Sequence, residues 1–187
     1  TINDPGTYVL TVTNPDNHCT ASDQVVITED ASVPMANAGA DLVLNCVVSS
    51  VNIDASASTS GANIAYTWTG PGISGGNATA QNPQNITLPG TYSVTVTNTV
   101  NNCNNTDEVV ISIDTIRPLS LAGNDLILNC FNGHADTLNA TGSSSGAGFT
   151  LLWSGPAITA ANQNLPRPVV DQAGTYTVLI TNTTNLC

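Results

Sequence analysis

The sequence contains no lysine, only two arginines and few aromatic residues. Lys and Arg total 2 against 13 Asp and Glu, which gives the 187-residue chain a formal net charge of −11. Because phosphate binding needs a basic patch, this composition argues against nucleic acid and against an anionic membrane surface as partners. No apolar run approaches the roughly 18 residues that span a bilayer, so we expect no membrane insertion.

Patterns of catalytic residues are also missing. General acid–base chemistry needs carboxylates or histidines that converge in one place, and nucleophilic catalysis needs a Ser–His–Asp or Cys–His arrangement. The acidic residues are scattered instead, and Asp41 recurs as Asp125, just as Asp23 recurs as Asp107. Repetition of this kind is typical of residues in turns, so we expect no enzymatic activity.

Five cysteines are present, and their spacing reveals an internal repeat. Cys19, Cys103 and Cys187 are 84 residues apart, as are Cys46 and Cys130. The neighbouring sequence repeats in register, since PGTYVLTVTN is followed 84 residues later by PGTYSVTVTN and then by AGTYTVLITN. A regular period of this size indicates a tandem array.

The period divides the chain into three parts. We predict the C-terminal strands (F and G) of a preceding repeat at 1–31, a complete repeat at 32–115, and a following repeat without its last strand at 116–187. Units of this kind contact mainly their neighbours, so an array can lengthen without a new fold. The chain is therefore expected to be a window on a much longer array.

Each repeat has the alternation of an all-β sandwich. In PGTYSVTVTN, Tyr92, Val94 and Val96 fall on one face of a strand and the threonines fall on the other. About seven short strands around one Trp is the pattern of an Ig-like sandwich, with Trp68 on strand C and Tyr92 near the start of strand F. Strand A is expected at DLVLN and at the matching DLILN, strand B at VNIDAS and strand G at DEVVISI. The expected core markers are Trp68, Trp153, Tyr8, Tyr92 and Tyr176.

These motifs resemble a known family. AGADLVLNC, YTWTGPGI, PGTYSVTVTN and TDEVVISI together are similar to PKD-like and Ig-like repeats, over all 187 residues. TWTGPG departs from the family, because PKD repeats usually have a WxFGDG turn there. Such repeats fill giant surface proteins of gliding and filamentous bacteria that use type IX secretion, including motility adhesins and grappling filaments. The resemblance implies tandem Ig-like/PKD-like β-sandwich repeats of about 84 residues at the extracellular bacterial cell surface.

Two functions from different classes follow from the resemblance. In the first, the chain is a structural segment of a surface filament or adhesin stalk that mediates attachment, motility or capture of other cells. Its partners are then copies of itself, with a neighbouring cell surface or a glycan bound at a tip outside this chain. In the second, the repeats themselves bind glycan or another cell through their Thr- and Asn-rich faces, such as that of Thr95 and Thr97.

The cysteines indicate structural disulfides rather than a metal site, since the chain is of an acidic, secreted type and no CxxC occurs. One pairing closes each repeat on itself, as Cys46–Cys103 and Cys130–Cys187, and leaves the partner of Cys19 outside the chain. It is preferred if strand A is short enough to leave Cys46 midway along the sandwich. The alternative is the inter-repeat bond Cys46–Cys187, because the two poles of one sandwich lie some 25 Å apart whereas those of consecutive repeats face each other.

Two further kinds of site are weaker candidates. No cofactor is expected, except that calcium could bind hard oxygen ligands at the repeat junctions. The candidate calcium ligands are Asp30, Asp41, Asp114 and Asp125. Two Asp-Thr-aliphatic triplets resemble the acceptor of bacterial O-glycosylation, and they would place sugars on Thr115 and Thr137.

Overall fold

The computed structural model describes all 187 residues and is nearly all β. Its only helices are two short stretches of 3-10 helix, Gly75–Ala78 and Cys130–Asn132. Neither has the length or the hydrophobicity that a membrane-crossing helix requires. The strands are β1 (Gly6–Thr13), β2 (Thr20–Ile27), β3 (Leu42–Asn45), β4 (Ile64–Thr69), β5 (Gly90–Asn98), β6 (Asn104–Asp114), β7 (Asp136–Thr137), β8 (Phe149–Ser154), β9 (Val169–Val170) and β10 (Thr177–Asn182).

The part at 32–115 is built around a four-stranded sheet with the order β3-β6-β5-β4. Strands β3 and β6 are parallel, while β5 is antiparallel to both β6 and β4. The opposite layer is much smaller, because its only β pairing is the bridge between Val51 and Ile86. The strand expected at VNIDAS is thus reduced to one bridge. Two residues further on, the backbone amide of Ile53 donates to the carbonyl of Pro83 at 3.0 Å.

The core of this part follows the alternation of the sequence. Tyr92, Val94 and Val96 of β5 are fully buried. Trp68 is 2% exposed, and its indole Nε1 donates a hydrogen bond to the carbonyl of Ala80 at 2.9 Å. Burial of these large side chains is the main favourable contribution to folding. The core is completed by Leu44, Ile53, Ile86, Val109 and Ile111.

A tyrosine before or at the start of β1, β5 and β10 makes the same contact in all three parts. The hydroxyl of Tyr92 lies 2.7 Å from the carbonyl oxygen of Leu88 and 2.8 Å from that of Pro71. Burial raises the pKa of Tyr92, which favours the neutral hydroxyl that this contact needs. The equivalent bonds are Tyr8 to Asp4 (2.8 Å) and Tyr176 to Gln172 (2.6 Å).

The flanking parts contain only two-stranded sheets. The part at 1–31 is a β1–β2 hairpin, and the part at 116–187 pairs β8 with β10 and β7 with β9. The strand expected at DLILN is absent, and Leu126 there is 41% exposed. The matching strand β3 pairs only with β6. Residues 116–187 contain no counterpart of β6, so 126–128 lack the partner that β3 has.

Candidate functional site

A disulfide joins the second and third parts of the chain. Cys46 and Cys187 are bonded across a sequence separation of 141, with their Cα atoms 5.0 Å apart. Cys46 follows β3 directly, and Cys187 ends the loop after β10. The bond therefore ties the repeat at 32–115 to the repeat at 116–187.

The pairing of Cys46 with Cys103 is wrong for this structure, and so is that of Cys130 with Cys187. Because β3 runs parallel to the end of β6, Asn45 pairs with Asp114, the last residue of β6, and Cys46 follows Asn45 directly. Cys103 immediately precedes β6, whose 11 residues extend over about 35 Å. A disulfide needs Cα atoms within about 7 Å. The two cysteines of one repeat are therefore at opposite ends of its longest strand.

The other three cysteines are free. Cys103 is half-buried, whereas Cys19 and Cys130 are exposed. In the 84-residue period, Cys19 and Cys103 correspond to Cys187, and Cys130 corresponds to Cys46. Each free cysteine is therefore the repeat counterpart of Cys46 or Cys187, the two cysteines that form the disulfide.

A tight Asn-x-Cys loop places Cys187. The Cys187 amide donates to Asn185 Oδ1 at 3.1 Å, the side-chain-to-backbone bond that asparagine makes readily in turns. The residue between them, Leu186, is left-handed at φ 58°. The equivalent bonds are Cys103 to Asn101 (2.9 Å) and Cys19 to Asn17 (3.0 Å).

Asn185 also crosses the junction between the two repeats. Its side chain is 2% exposed, and Nδ2 donates to Asp114 Oδ1 at 2.8 Å and to the carbonyl of Ile116 at 2.9 Å. Asp114 ends β6 and Ile116 lies in the connecting peptide, so the amide holds both to the loop of the next repeat. We call Cys46, Cys187, Asn185 and Asp114 the junction clasp.

The polar half of the clasp recurs at the preceding junction. Asn101 Nδ2 donates to the carbonyl of Ser32 at 3.1 Å. Asn101 and Ser32 lie 84 positions before Asn185 and Ile116, which form the equivalent hydrogen bond. Hydrogen bonds from Ser32 and then from Asn101 lower the pKa of Asp30, the counterpart of Asp114. A carboxyl group with a lowered pKa stabilises the fold only while it is ionised. The stability that the hydrogen bonds to Asp30 contribute is therefore fully present above pH 3.8, the ordinary pKa of this residue. It is lost as the pH falls from 3.8 through the lowered pKa of Asp30 in the folded state.

Three of the four predicted calcium ligands accept hydrogen bonds from the protein. Asp41 Oδ1 accepts from the amide of Val110 at 2.8 Å, Asp114 accepts from Asn185, and Asp30 accepts from the amide of Ser32. No group of three or more His, Cys, Asp or Glu residues in the chain is placed to hold a metal ion. The calcium hypothesis therefore has no ligand cluster in this structure. The fourth candidate is Asp125, which lies in a groove of the following repeat.

The two predicted glycosylation sites differ in exposure. Thr115 is exposed in the peptide that connects the repeats. Thr137 is half-buried in β7, where it pairs with Val169. Thr115 is therefore the more accessible acceptor, and a sugar at either position stays a prediction.

Sequence analysis missed the asparagine of the clasp. The signal was present, because Asn17, Asn101 and Asn185 each stand two residues before a cysteine of the 84-residue period. A chain rich in asparagine hides such a pattern, and only the structure shows that two of the three side chains cross a junction.

The chain matches no protein-family model and no curated protein sequence. The role of the junction clasp is therefore inferred from its contacts, its burial and its repetition along the chain.

Replacing Asn185 with alanine should loosen the junction. The substitution removes two donated hydrogen bonds from a buried site and leaves Asp114 Oδ1 with the amide of Ile116 as its remaining donor, so we expect a loss of about 2 kcal/mol in unfolding free energy. Urea unfolding and amide hydrogen exchange of residues 178–187 measure the loss. The matched control is Asn17→Ala, which removes only the bond within the loop to Cys19. Equal losses in both variants would contradict a role for Asn185 across the junction.

Proposed function

We propose that this chain is a segment of a tension-bearing extracellular stalk or filament, built from tandem Ig-like/PKD-like repeats on a bacterial cell surface. The observation that supports it most is the Cys46–Cys187 bond. A disulfide within one domain stabilises that domain alone. A disulfide between consecutive domains resists their separation, which is what a stalk under load requires.

Several features of the fold favour the Ig-like part of this proposal. The sheet at 32–115 has strands from distant parts of the repeat side by side, and a Trp is buried on β4. Tyr92 hydrogen-bonds four residues upstream, at the position where Ig-like sandwiches have a tyrosine corner. Tyr8 and Tyr176 make the same bond, which supports one fold for all three parts.

Because the cysteines recur with the period of the repeat, the same disulfide would form at every junction of an array. Cys103 corresponds to Cys187, so its partner is the counterpart of Cys46 in the preceding repeat. Cys130 corresponds to Cys46, so its partner is the counterpart of Cys187 in the next repeat. Every repeat then carries two cross-links, one to each neighbour. No lysine of this chain is available for isopeptide cross-links.

An extracellular location agrees with this chemistry, because disulfides persist in oxidising compartments. The net charge of −11 keeps separate fibres apart in solution. In this proposal the repeats supply length and strength, and the ligand that decides attachment, motility or capture binds at a tip outside the chain.

Single-molecule pulling of the oxidised chain by its two ends tests the tensile role. The Cys46–Cys187 bond removes residues 47–186 from the load path. At about 3.5 Å per extended residue, the 46 residues before the bond reach about 160 Å, whereas the reduced chain reaches about 650 Å. Cys46→Ser should extend fully under both conditions, and Cys103→Ser should behave as the wild type. Full extension of the oxidised wild type would contradict the proposal.

The surface location and the structural role need separate measurements. Antibodies against residues 1–187 should label intact, unpermeabilised cells that produce the protein, and shearing should release the labelled material. The purified chain should bind no component of a glycan array. Selective binding to one glycan would instead favour the second function, in which the repeats themselves carry the ligand site.

A further inference from the structure

Very few contacts join the complete repeat to the following one. The two hydrophobic cores are separate, and neither contains a side chain from the other repeat. Each sheet likewise consists of strands from a single repeat. Two domains without a large apolar interface between them are expected to move relative to each other. The orientation of these two repeats therefore depends on the junction clasp.

The hydrogen bonds across this junction all end on one atom. Asp114 Oδ1 accepts from Asn185 Nδ2 at 2.8 Å and from the backbone amide of Ile116 at 3.2 Å. The bond from Ile116 lies within the connecting peptide itself. Asn185 is thus the only side chain of the following repeat that hydrogen-bonds to the complete repeat. A single hydrogen bond of this kind leaves most directions of motion unrestrained.

Two covalent links cross the junction side by side. The peptide link leaves β6 at Asp114, and the disulfide starts from Cys46, which directly follows β3. The last residue of β3 pairs with Asp114, so the two links leave from neighbouring strands, which lie about 5 Å apart. The links also arrive together, because Asn185 donates to the carbonyl of Ile116 and accepts from the amide of Cys187.

Two neighbouring links restrict motions that a single link allows. With the peptide link alone, the following repeat can twist about the connecting segment and tilt in any direction. The disulfide holds a second point of that repeat to the complete repeat, with the Cα atoms of Cys46 and Cys187 only 5.0 Å apart. Twisting, or tilting within the plane of β3 and β6, would have to lengthen one of the two links. Both links are covalent and short, so these motions are blocked while the disulfide is intact.

We propose that the Cys46–Cys187 disulfide locks a hinge at residues 114–116. While the bond is intact, the two repeats keep one twist and one sideways tilt relative to each other. When the bond is reduced, the repeats turn about the connecting peptide, and only the hydrogen bond from Asn185 to Asp114 restrains them. The inference concerns the orientation of the repeats and does not rest on the tensile role of the bond.

A dithiol such as dithiothreitol opens the lock by thiol–disulfide exchange. One of its thiolates attacks a sulfur of the bond, forms a mixed disulfide and releases the other cysteine as a thiolate. The second thiol of the reagent then displaces the mixed disulfide. The products are two cysteine thiols in the protein and the cyclic disulfide of the reagent.

Energy transfer between two dyes tests the lock. Because the chain contains no lysine, two introduced lysines can be labelled specifically once the N-terminal amine is blocked. Ala65→Lys and Thr150→Lys place the dyes at equivalent, exposed positions of β4 and β8. The background has Cys19, Cys103 and Cys130 replaced by serine. Single-molecule measurements should give one narrow distribution of dye distances, and dithiothreitol should make it about twice as wide.

Two controls assign the widening to the hinge. Cys46→Ser should give the wide distribution without a reductant, and dithiothreitol should then change nothing. A second pair of lysines, at Ala65 and Thr87, lies within the complete repeat and should give the same distribution before and after reduction. In the reduced chain, Asn185→Ala should widen the distribution across the junction further, because it removes the remaining side-chain hydrogen bond between the repeats.

Three results would overturn the proposal. The first is a wide distribution across the junction while the disulfide is intact, and the second is an unchanged distribution after reduction. The third is widening of the pair within the complete repeat, because the bond would then maintain the fold of that repeat and not its orientation. None of these results changes the lengths expected in the pulling experiment, so failure of this proposal is distinguishable from failure of the tensile role.

Discussion

Cys46→Ser is expected to lower the free energy of unfolding by about 4 kcal/mol. The native bond closes a loop of about 140 residues, and closing so long a loop removes much conformational freedom from the unfolded chain. The measurement is urea unfolding under oxidising conditions, followed by tryptophan fluorescence, in a chain with Cys19, Cys103 and Cys130 already changed to serine. That background prevents exchange among the thiols.

The free cysteines provide the control for this prediction. Cys103→Ser in the wild-type chain removes no bond, so the unfolding midpoint should stay the same within error. Reduction of the wild type should reproduce the loss seen in Cys46→Ser. If reduction and substitution both leave the midpoint unchanged, the Cys46–Cys187 bond does not stabilise the junction.

Gly70→Ala should destabilise the complete repeat by about 3 kcal/mol. Gly70 has a φ of +151°, and an added Cβ would lie 2.5 Å from the ring of Tyr92, which is fully buried. The cost combines backbone strain with overpacking, each of about 1–3 kcal/mol. Unfolding of the variant by urea, followed through tryptophan fluorescence, measures the loss.

Two other glycines separate the causes of that loss. Gly61 has a φ of +149° but open space around it, so Gly61→Ala tests the backbone strain alone. Gly76 has open space and no left-handed φ, and Gly76→Ala should be nearly neutral. A Gly70→Ala loss no larger than that of Gly61→Ala would show that the Tyr92 ring moves aside.

Most strand positions and the buried core residues of the complete repeat could be predicted from the sequence because they depend on local alternation. The strand expected at DLILN is absent, and the expected core markers Tyr8 and Tyr176 are only half-buried. Tyr92, Val94 and Val96 follow a period of two, and all three are buried as that period predicts. Trp68 and Trp153 are each 2% exposed, as expected of core markers. The thin opposite layer could not be predicted in the same way. A bridge such as Val51–Ile86 depends on how two segments distant in sequence meet.

The disulfide could not be decided from the sequence because both pairings satisfy the same 84-residue spacing. The choice depends on which part of β6 lies beside β3, and that register is a tertiary property. Once β3 lies parallel to the last four residues of β6, Cys46 is at the exit of its repeat and far from Cys103. The length of strand A was the reason to prefer a bond within the repeat. The position of Cys46 depends instead on which residues of β6 pair with strand A.

The Cys46–Cys187 bond also changes what a single cut in the backbone can do. A protease that hydrolyses one peptide bond between residues 47 and 186 leaves both fragments joined through sulfur. Exposed connecting segments such as that of Thr115 are the usual targets of such cuts. If every junction carries the same bond, each peptide bond of the array is bypassed by at least one disulfide. Severing the fibre would then require at least three cuts in suitable places, or a cut together with a reductant, outside the cell.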